Sequence, residues 1–179
     1  MLRIFLTPVF LVFAALANRT GAVVFYLAAA VLFSVASYTD HLDGKIARSR
    51  NLVTDFGRFA DPLADKILTT TALLYMMDAG VCNPIVLVVI LAREFAVAGL
   101  RMVAAGAKDG KVIAANRWGN WKTVSQMITI LFYYYGMSVP AFRSFVPAVA
   151  SVLCWTVMLL TLLSGIIYLV QNRSFLSDM

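Results

Sequence analysis

The chain has 179 residues, 61% of them hydrophobic and 13% charged, with a mean hydropathy of +0.84. Soluble domains carry about a quarter charged residues, so a cytosolic globule is excluded. A disordered chain is excluded as well, because it lacks apolar content on this scale. The net charge of +6 reads, in so apolar a chain, as cytoplasmic anchoring and attraction to anionic lipid rather than as nucleic-acid binding.

A membrane-spanning helix uses about 20 residues, and the pattern predicts an all-α integral membrane bundle of six transmembrane helices, one domain over residues 1–179. Ile4 to Ala17 is a short first span between Arg3 and Asn18–Arg19; a cleaved leader is disfavoured because no small-residue cleavage site is evident and a second apolar segment follows at once. Gly21 to Thr39 is uncharged and continues helically into Asp40, Asp43, Lys45 and Arg48, so this span projects beyond the lipid. After a polar link at Asn51 to Asp55, a third helix begins with Arg58, Asp61, Asp65 and Lys66 and turns apolar through Met77. Asp78 to Pro84 forms a loop without Lys or Arg, and the fourth helix, from about Ile85, carries Arg93, Glu94 and Arg101. Ala105 to Asn120 is the longest polar stretch; Val124 to Val139 and Phe145 to Val170 complete the count.

Positive residues set the orientation, since cytoplasmic loops retain Lys and Arg. Lys45, Arg48, Arg50, Arg58 and Lys66 make one basic segment, and Lys108, Lys111, Arg117 and Lys122 another, whereas the opposite side shows Arg19 and Arg143. Both basic segments and both termini are therefore expected at the cytoplasm. Cys82 and Cys154 lack metal-type spacing and read as packing residues.

Four aspartates beside the spans carry the chemistry. At about 100° per residue, Asp40, Asp43, Gly44 and Ala47 fall within an arc of about 100° on one helix, and Gly57, Asp61 and Asp65 within about 80° on the next. Two antiparallel helices can then present four carboxylates to each other, with glycines where a ligand must come close. Such a quartet stays ionised in a low dielectric only if cations hold it, and Lys45, Arg58 and Lys66 are too few. Oxygen-only ligands favour Mg²⁺ or Mn²⁺, and a pair of such ions is the usual clamp on a transferring phosphoryl group. The bland reading, helix caps at a membrane boundary, fits Asp55 and Asp78 but not the quartet.

Asp40, Asp43, Gly44, Ala47, Arg48, Gly57, Asp61 and Asp65 match the signature D-x2-D-G-x2-A-R-x8-G-x3-D-x3-D in full, and on it the chain resembles the CDP-alcohol phosphotransferases. With Asn51 to Lys66, Ala92 to Val97 and Gly99 to Arg101 it looks like the members that make phosphatidylglycerophosphate. The resemblance implies a phosphatidyltransferase of phospholipid synthesis, in which CDP-diacylglycerol and sn-glycerol 3-phosphate give phosphatidylglycerophosphate and CMP. It implies two Mg²⁺ or Mn²⁺ ions on Asp40, Asp43, Asp61 and Asp65, with Asp65 also the general base on the acceptor hydroxyl. Asp40, Gly44, Ala47, Arg48 and Gly57 would line the CDP moiety, Arg48 meeting the diphosphate. A homodimer in a bacterial-type inner or cell membrane, its active site facing the cytoplasm among membrane lipids, is implied too.

For the acceptor phosphate, Arg93 and Arg101 lie eight apart, on nearly one side and about 12 Å apart along a helix, and mid-membrane arginines need an anion. The alternative is that Arg93 pairs with Asp65 or with Glu94 of a neighbouring chain. Family members usually carry Gly-Lys ahead of the fifth span, where this chain has Gly119-Asn120; Lys122 or Arg117 must compensate, or the acceptor differs. The family's lead-in ahead of the arginine matching Arg3 is absent too, which suggests a truncated start. His41 points about 100° away from Asp40 and is read as facing a neighbour or headgroup. Trp118, Trp121 and Tyr133 to Tyr135 read as interfacial belts. Two rivals remain: a same-family synthase using inositol phosphate, serine or phosphatidylglycerol, and a small cation transporter, which predicts midplane carboxylates and inverted repeats that are not evident.

Overall fold

The computed structural model describes the backbone of residues 2–49, 55–106 and 117–171, and the side chains of residues 5–39, 66–100 and 119–171. Six helices occupy these stretches: α1 Leu2–Thr20, α2 Val23–Ser49, α3 Asp55–Asp78, α4 Pro84–Gly106, α5 Arg117–Ser138 and α6 Val146–Gln171. A single 3-10 turn at Pro140–Phe142 joins the last two. No strand occurs among the described residues, so the all-α expectation holds.

Local chemistry fixes the ends. Gly21 adopts φ 65° and its N–H reaches the Ala17 carbonyl at 2.8 Å, closing α1 with the left-handed residue that glycine tolerates best. After α3, Gly80 turns with φ 74°, and the N–H groups of Val81 and Cys82 both return to the Met76 carbonyl, at 2.9 and 3.1 Å. Asn83 caps α4 by accepting the Ile85 N–H at 2.9 Å on Oδ1, and Pro84 occupies the first helical position, where no N–H is required.

Two helices are longer than their apolar runs. α1 continues to Thr20 beyond Ala17, and α5 starts at Arg117 rather than near Val124. Backbone hydrogen bonding does not stop at the last apolar side chain, so apolar patterning underestimates a helix whose ends are polar. Lys122 consequently lies within α5 and is 2% exposed, not in a loop.

Packing centres on α1, α2 and α5, with α3 against α1 and with α4 and α5 against α6. Ala14, Ala17, Ala29, Ala30 and Ala36 are fully buried, small residues that let helix backbones approach. Among them sits an aromatic cluster: Phe10 lies 5.9 Å from Phe33 and 5.5 Å edge-on to Tyr134, and Tyr133 and Tyr134 meet edge-on at 5.1 Å. The belt expected at Tyr133 to Tyr135 is corrected here. Tyr133 and Tyr134 are buried, because edge-to-face partners on α1 and α2 receive them, and only Tyr135 reaches outward, its hydroxyl 3.1 Å from that of Ser34. Trp121 is exposed, as a belt residue would be.

Cys82 and Cys154 are both buried in the core, as packing residues should be, and both are free thiols. Remote in sequence, they meet in space: the neighbouring Cys154 thiol holds that of Cys82 below its ordinary pKa, against the effect of burial.

Polarity is distributed inside out. Lys122, Gln126, Thr129, Thr161 and Ser164 are buried, whereas Val31, Val88, Phe95, Val152 and Ile166 face outward. Among the described residues one helix, α6, is long and apolar enough by itself to cross a membrane, with a mean hydropathy of 2.2 in its most apolar window.

Candidate functional site

The acidic signature maps onto two helices. Asp40, Asp43, Gly44, Ala47 and Arg48 belong to the last turns of α2, and Gly57, Asp61 and Asp65 to the first turns of α3. Helical backbone at both places is what the one-face spacing requires. The side chains of these residues, and those of His41, Arg101 and Trp118, lie outside the described residues. Among the described residues, no three His, Cys, Asp or Glu side chains gather as metal ligands.

The described site begins at Lys66, the residue after Asp65. Its ammonium donates to the backbone carbonyl of Glu94 at 3.2 Å and stands 3.8 Å from Glu94 Oε2. Lys122 Nζ donates to Glu94 Oε1, and Arg93 Nη1 is 3.6 Å from that same oxygen. One carboxylate on α4 thus gathers cations from α3, α4 and α5. Arg93 meets Glu94 of its own chain; the expected pairing with Asp65 involves a side chain outside the described residues.

Two glycines face Arg93, and only the one at 165 stands close enough that a side chain there would crowd it. A Cβ on Gly165 of α6 would stand 3.1 Å from Arg93 Cγ, and one on Gly119 of α5 would stand 3.7 Å from Nη2. The guanidinium therefore runs between α5 and α6 where side chains are missing. Lys66, Thr69, Glu94 and Gln126 border a small cavity of about 20 Å³, enough for a single water.

Electrostatics decide what this cluster suits. The Lys122 side chain is 3% exposed and that of Arg93 14%, and an ion taken out of water costs several kcal/mol unless paired. Among the described residues, Glu94 is the carboxylate that all three cations approach. Cations gathered this closely suit an anion of high charge density, such as a phosphate monoester.

A second feature lies along α2. An open groove of about 620 Å³ is lined by Ser34, Val35, Ser37, Tyr38, Thr39 and Leu131, and Thr39 directly precedes Asp40, the first residue of the acidic signature. Its lining is largely apolar, so it suits a hydrocarbon chain more than a polar ligand.

Sequence reasoning placed Arg93 and Lys122 in one anion site but missed the residue that joins them. Glu94 was weighed only as another chain's partner, although a lone acid in the middle of an apolar helix already signals a buried pair. Lys66 was assigned to the aspartates, and the roles of Gly119 and Gly165 had no signal in one sequence.

An all-α bundle, apolar outside, with an acidic signature on two helices and cations clustered beside it, defines a class. The chain belongs to the CDP-alcohol phosphatidyltransferases, a family of membrane enzymes, which it matches over residues 1–166. It is similar to the CDP-diacylglycerol–glycerol-3-phosphate 3-phosphatidyltransferase of Bacillus subtilis (strain 168), with 41% identity over 150 residues, 82% of this chain and 74% of that one. The enzyme of the same name from Rickettsia typhi is 34% identical over 146 residues, covering 82% and 80%. That from Mycoplasma pneumoniae is 42% identical over 101 residues, 56% of this chain and 44% of the relative.

Proposed function

We propose that this single-domain chain is an integral membrane enzyme, six helices deep in the bilayer, that transfers the phosphatidyl group of CDP-diacylglycerol to sn-glycerol 3-phosphate, releasing CMP. The observation that carries the acceptor assignment is the gathering of Lys66, Arg93 and Lys122 from three helices around Glu94. A neutral acceptor has no use for it, whereas the phosphate of glycerol 3-phosphate matches it in charge. The names of the relatives point to the same reaction.

The family generally uses divalent metals. The donor set fits: four carboxylates and no thiol or imidazole among the proposed ligands suit hard, oxygen-seeking ions such as Mg²⁺ or Mn²⁺. Asp40, Asp43, Asp61 and Asp65 would hold two of them, and the ions, when bound, neutralise charge on the transferring phosphoryl group. Asp65 accepts the proton of the acceptor hydroxyl as it attacks the phosphorus that carries the lipid. Arg48 meets the diphosphate, and Asp40, Gly44, Ala47 and Gly57 border the cytidine part. Arg93, Arg101 and Lys122 orient the acceptor by its phosphate, so that its hydroxyl points toward Asp65.

The arrangement suits substrates that meet at a boundary. The groove along α2 would take the acyl chain of the donor, on the helix that carries the first half of the acidic signature, and the outward apolar side chains suit a bundle held in lipid. The basic segments put the site at the cytoplasmic face, where the soluble acceptor arrives. A homodimer in the cell membrane completes the proposal.

The test is CMP release by purified protein in detergent with CDP-diacylglycerol, Mg²⁺ and glycerol 3-phosphate. Faster release with inositol phosphate or serine would replace the acceptor assignment. Asn120, exposed on α5 where the family usually has lysine, is the observation that keeps this second reading in view.

A further inference from the structure

We infer that Glu94 is a built-in stand-in for the acceptor's anionic group: it holds Lys122, Arg93 and Lys66 in the empty enzyme and gives up part of that hold when a phosphate enters. The inference rests on the acceptor assignment proposed above and adds a residue that assignment does not use.

Glu94 is the carboxylate that the three cations share among the described residues, and it reaches each through a different geometry. Lys122 is held by a direct hydrogen bond to Oε1, Arg93 by an ion pair at 3.6 Å to that oxygen, and Lys66 by the backbone carbonyl at 3.2 Å with Oε2 at 3.8 Å. Lys122 is the most deeply buried of them, at 2% exposure. A buried ammonium without an anion is strongly unfavourable, so something must neutralise it before the substrate arrives. The pairs to Arg93 and Lys66 are longer, at 3.6 and 3.8 Å, so Glu94 grips these two cations less firmly than it grips Lys122.

Two consequences follow for specificity. An acceptor lacking a strong anion cannot compete with Glu94 for Lys122 and finds the cations occupied. A phosphate monoester can compete, but its affinity is discounted by the anion it partly displaces. Glu94 is thus a positioning residue that sets a charge threshold for the acceptor, and it touches neither the donor nor the reacting atoms.

The experiment compares wild type, Glu94→Gln and Glu94→Asp, each as purified full-length protein in detergent. It measures the melting temperature with and without inorganic phosphate, and KM and kcat for glycerol 3-phosphate. Glu94→Gln should melt below wild type without ligand, gain more from phosphate than wild type does, and show a KM lowered roughly tenfold, the scale of one removed charge competitor, with kcat changed less. Glu94→Asp, which retains the charge, should stay near wild type in its response to phosphate. A purely structural salt bridge would lower the melting temperature but leave the phosphate response and KM unchanged, and that result overturns the inference, as does a raised KM in Glu94→Gln. If Glu94→Gln fails to fold, phosphate present during extraction should rescue it, and absence of rescue counts against the inference. The wild-type curve separates the two levels. If wild type gains nothing from phosphate and shows no saturation with glycerol 3-phosphate, the acceptor assignment has failed; if wild type responds and Glu94→Gln responds equally, only the role of Glu94 has.

Discussion

Arg93 of α4 lies against Gly165 of α6 so closely that a Cβ on the glycine would stand 3.1 Å from the arginine's Cγ. The aliphatic stem of the arginine fills space that any other residue at 165 would claim, and this fixes the direction in which the guanidinium leaves α4. Gly165→Val should push the stem aside and misplace the charge. We expect KM for glycerol 3-phosphate to rise about tenfold, the effect of losing roughly one charge-assisted contact, with a smaller change in kcat. Steady-state kinetics in detergent check this, and an unchanged KM would show that Arg93 does not depend on that contact.

Gly136 of α5 is a packing site remote from the cations. A Cβ there would come within 2.6 Å of Val146 Cγ2 at the start of α6, a clash that rotamer changes of a β-branched neighbour cannot relieve. Gly136→Ala should destabilise the bundle by about 1–3 kcal/mol, the usual range for overpacking. Thermal unfolding in detergent measures it, and specific activity per folded molecule should be retained.

The proposed metal ligands predict a different pattern. Asp61→Asn keeps the size of the side chain and removes its charge, so the protein should fold with a normal melting curve while CMP release falls by at least about a thousandfold, the range seen when transition-state charge stabilisation is lost. Chelation should abolish turnover in wild type, and Mg²⁺ or Mn²⁺ should restore it. Near-normal rates in Asp61→Asn would remove this residue from the metal site.

Asn120 tests the departure from the family pattern. It is exposed on the first turns of α5, so Asn120→Lys adds charge without burying it. KM for a phosphate-bearing acceptor should fall several-fold if the position borders the acceptor. No change would mean that Lys122, buried two residues further on, already does that work.

Much of the fold was legible because apolar runs and their polar interruptions count helices directly. The all-helical reading, the six elements and the loop from Asp78 to Pro84 all follow from residues visible in the chain. The ends were less legible. Lys122 reads as part of the basic segment ahead of the fifth span because apolar patterning begins at Val124, yet the backbone is helical from Arg117 and the lysine is buried. Tyr133 and Tyr134 looked like an interfacial belt because aromatic residues near a helix end usually are; that Phe10 and Tyr26 wait on other helices is a tertiary fact. At the site, spacing could place Asp40 with Asp43 and Asp61 with Asp65, since neighbours on a helix are fixed by its period. It could not place Glu94 among Lys66, Arg93 and Lys122, because three helices must pack before those charges meet. The meeting of Cys82 with Cys154 was hidden for the same reason.

The central claim is that the cation cluster selects a phosphate-bearing acceptor for a phosphatidyl transfer. The most direct measurement is an acceptor competition: CMP release from CDP-diacylglycerol by purified wild-type protein with Mg²⁺, offering glycerol 3-phosphate, glycerol, serine and inositol phosphate at equal concentration. Turnover with glycerol 3-phosphate well above that with glycerol or serine is the predicted result. Equal or faster release with glycerol or serine would contradict it, since neither brings the phosphate that Lys66, Arg93 and Lys122 are arranged to meet.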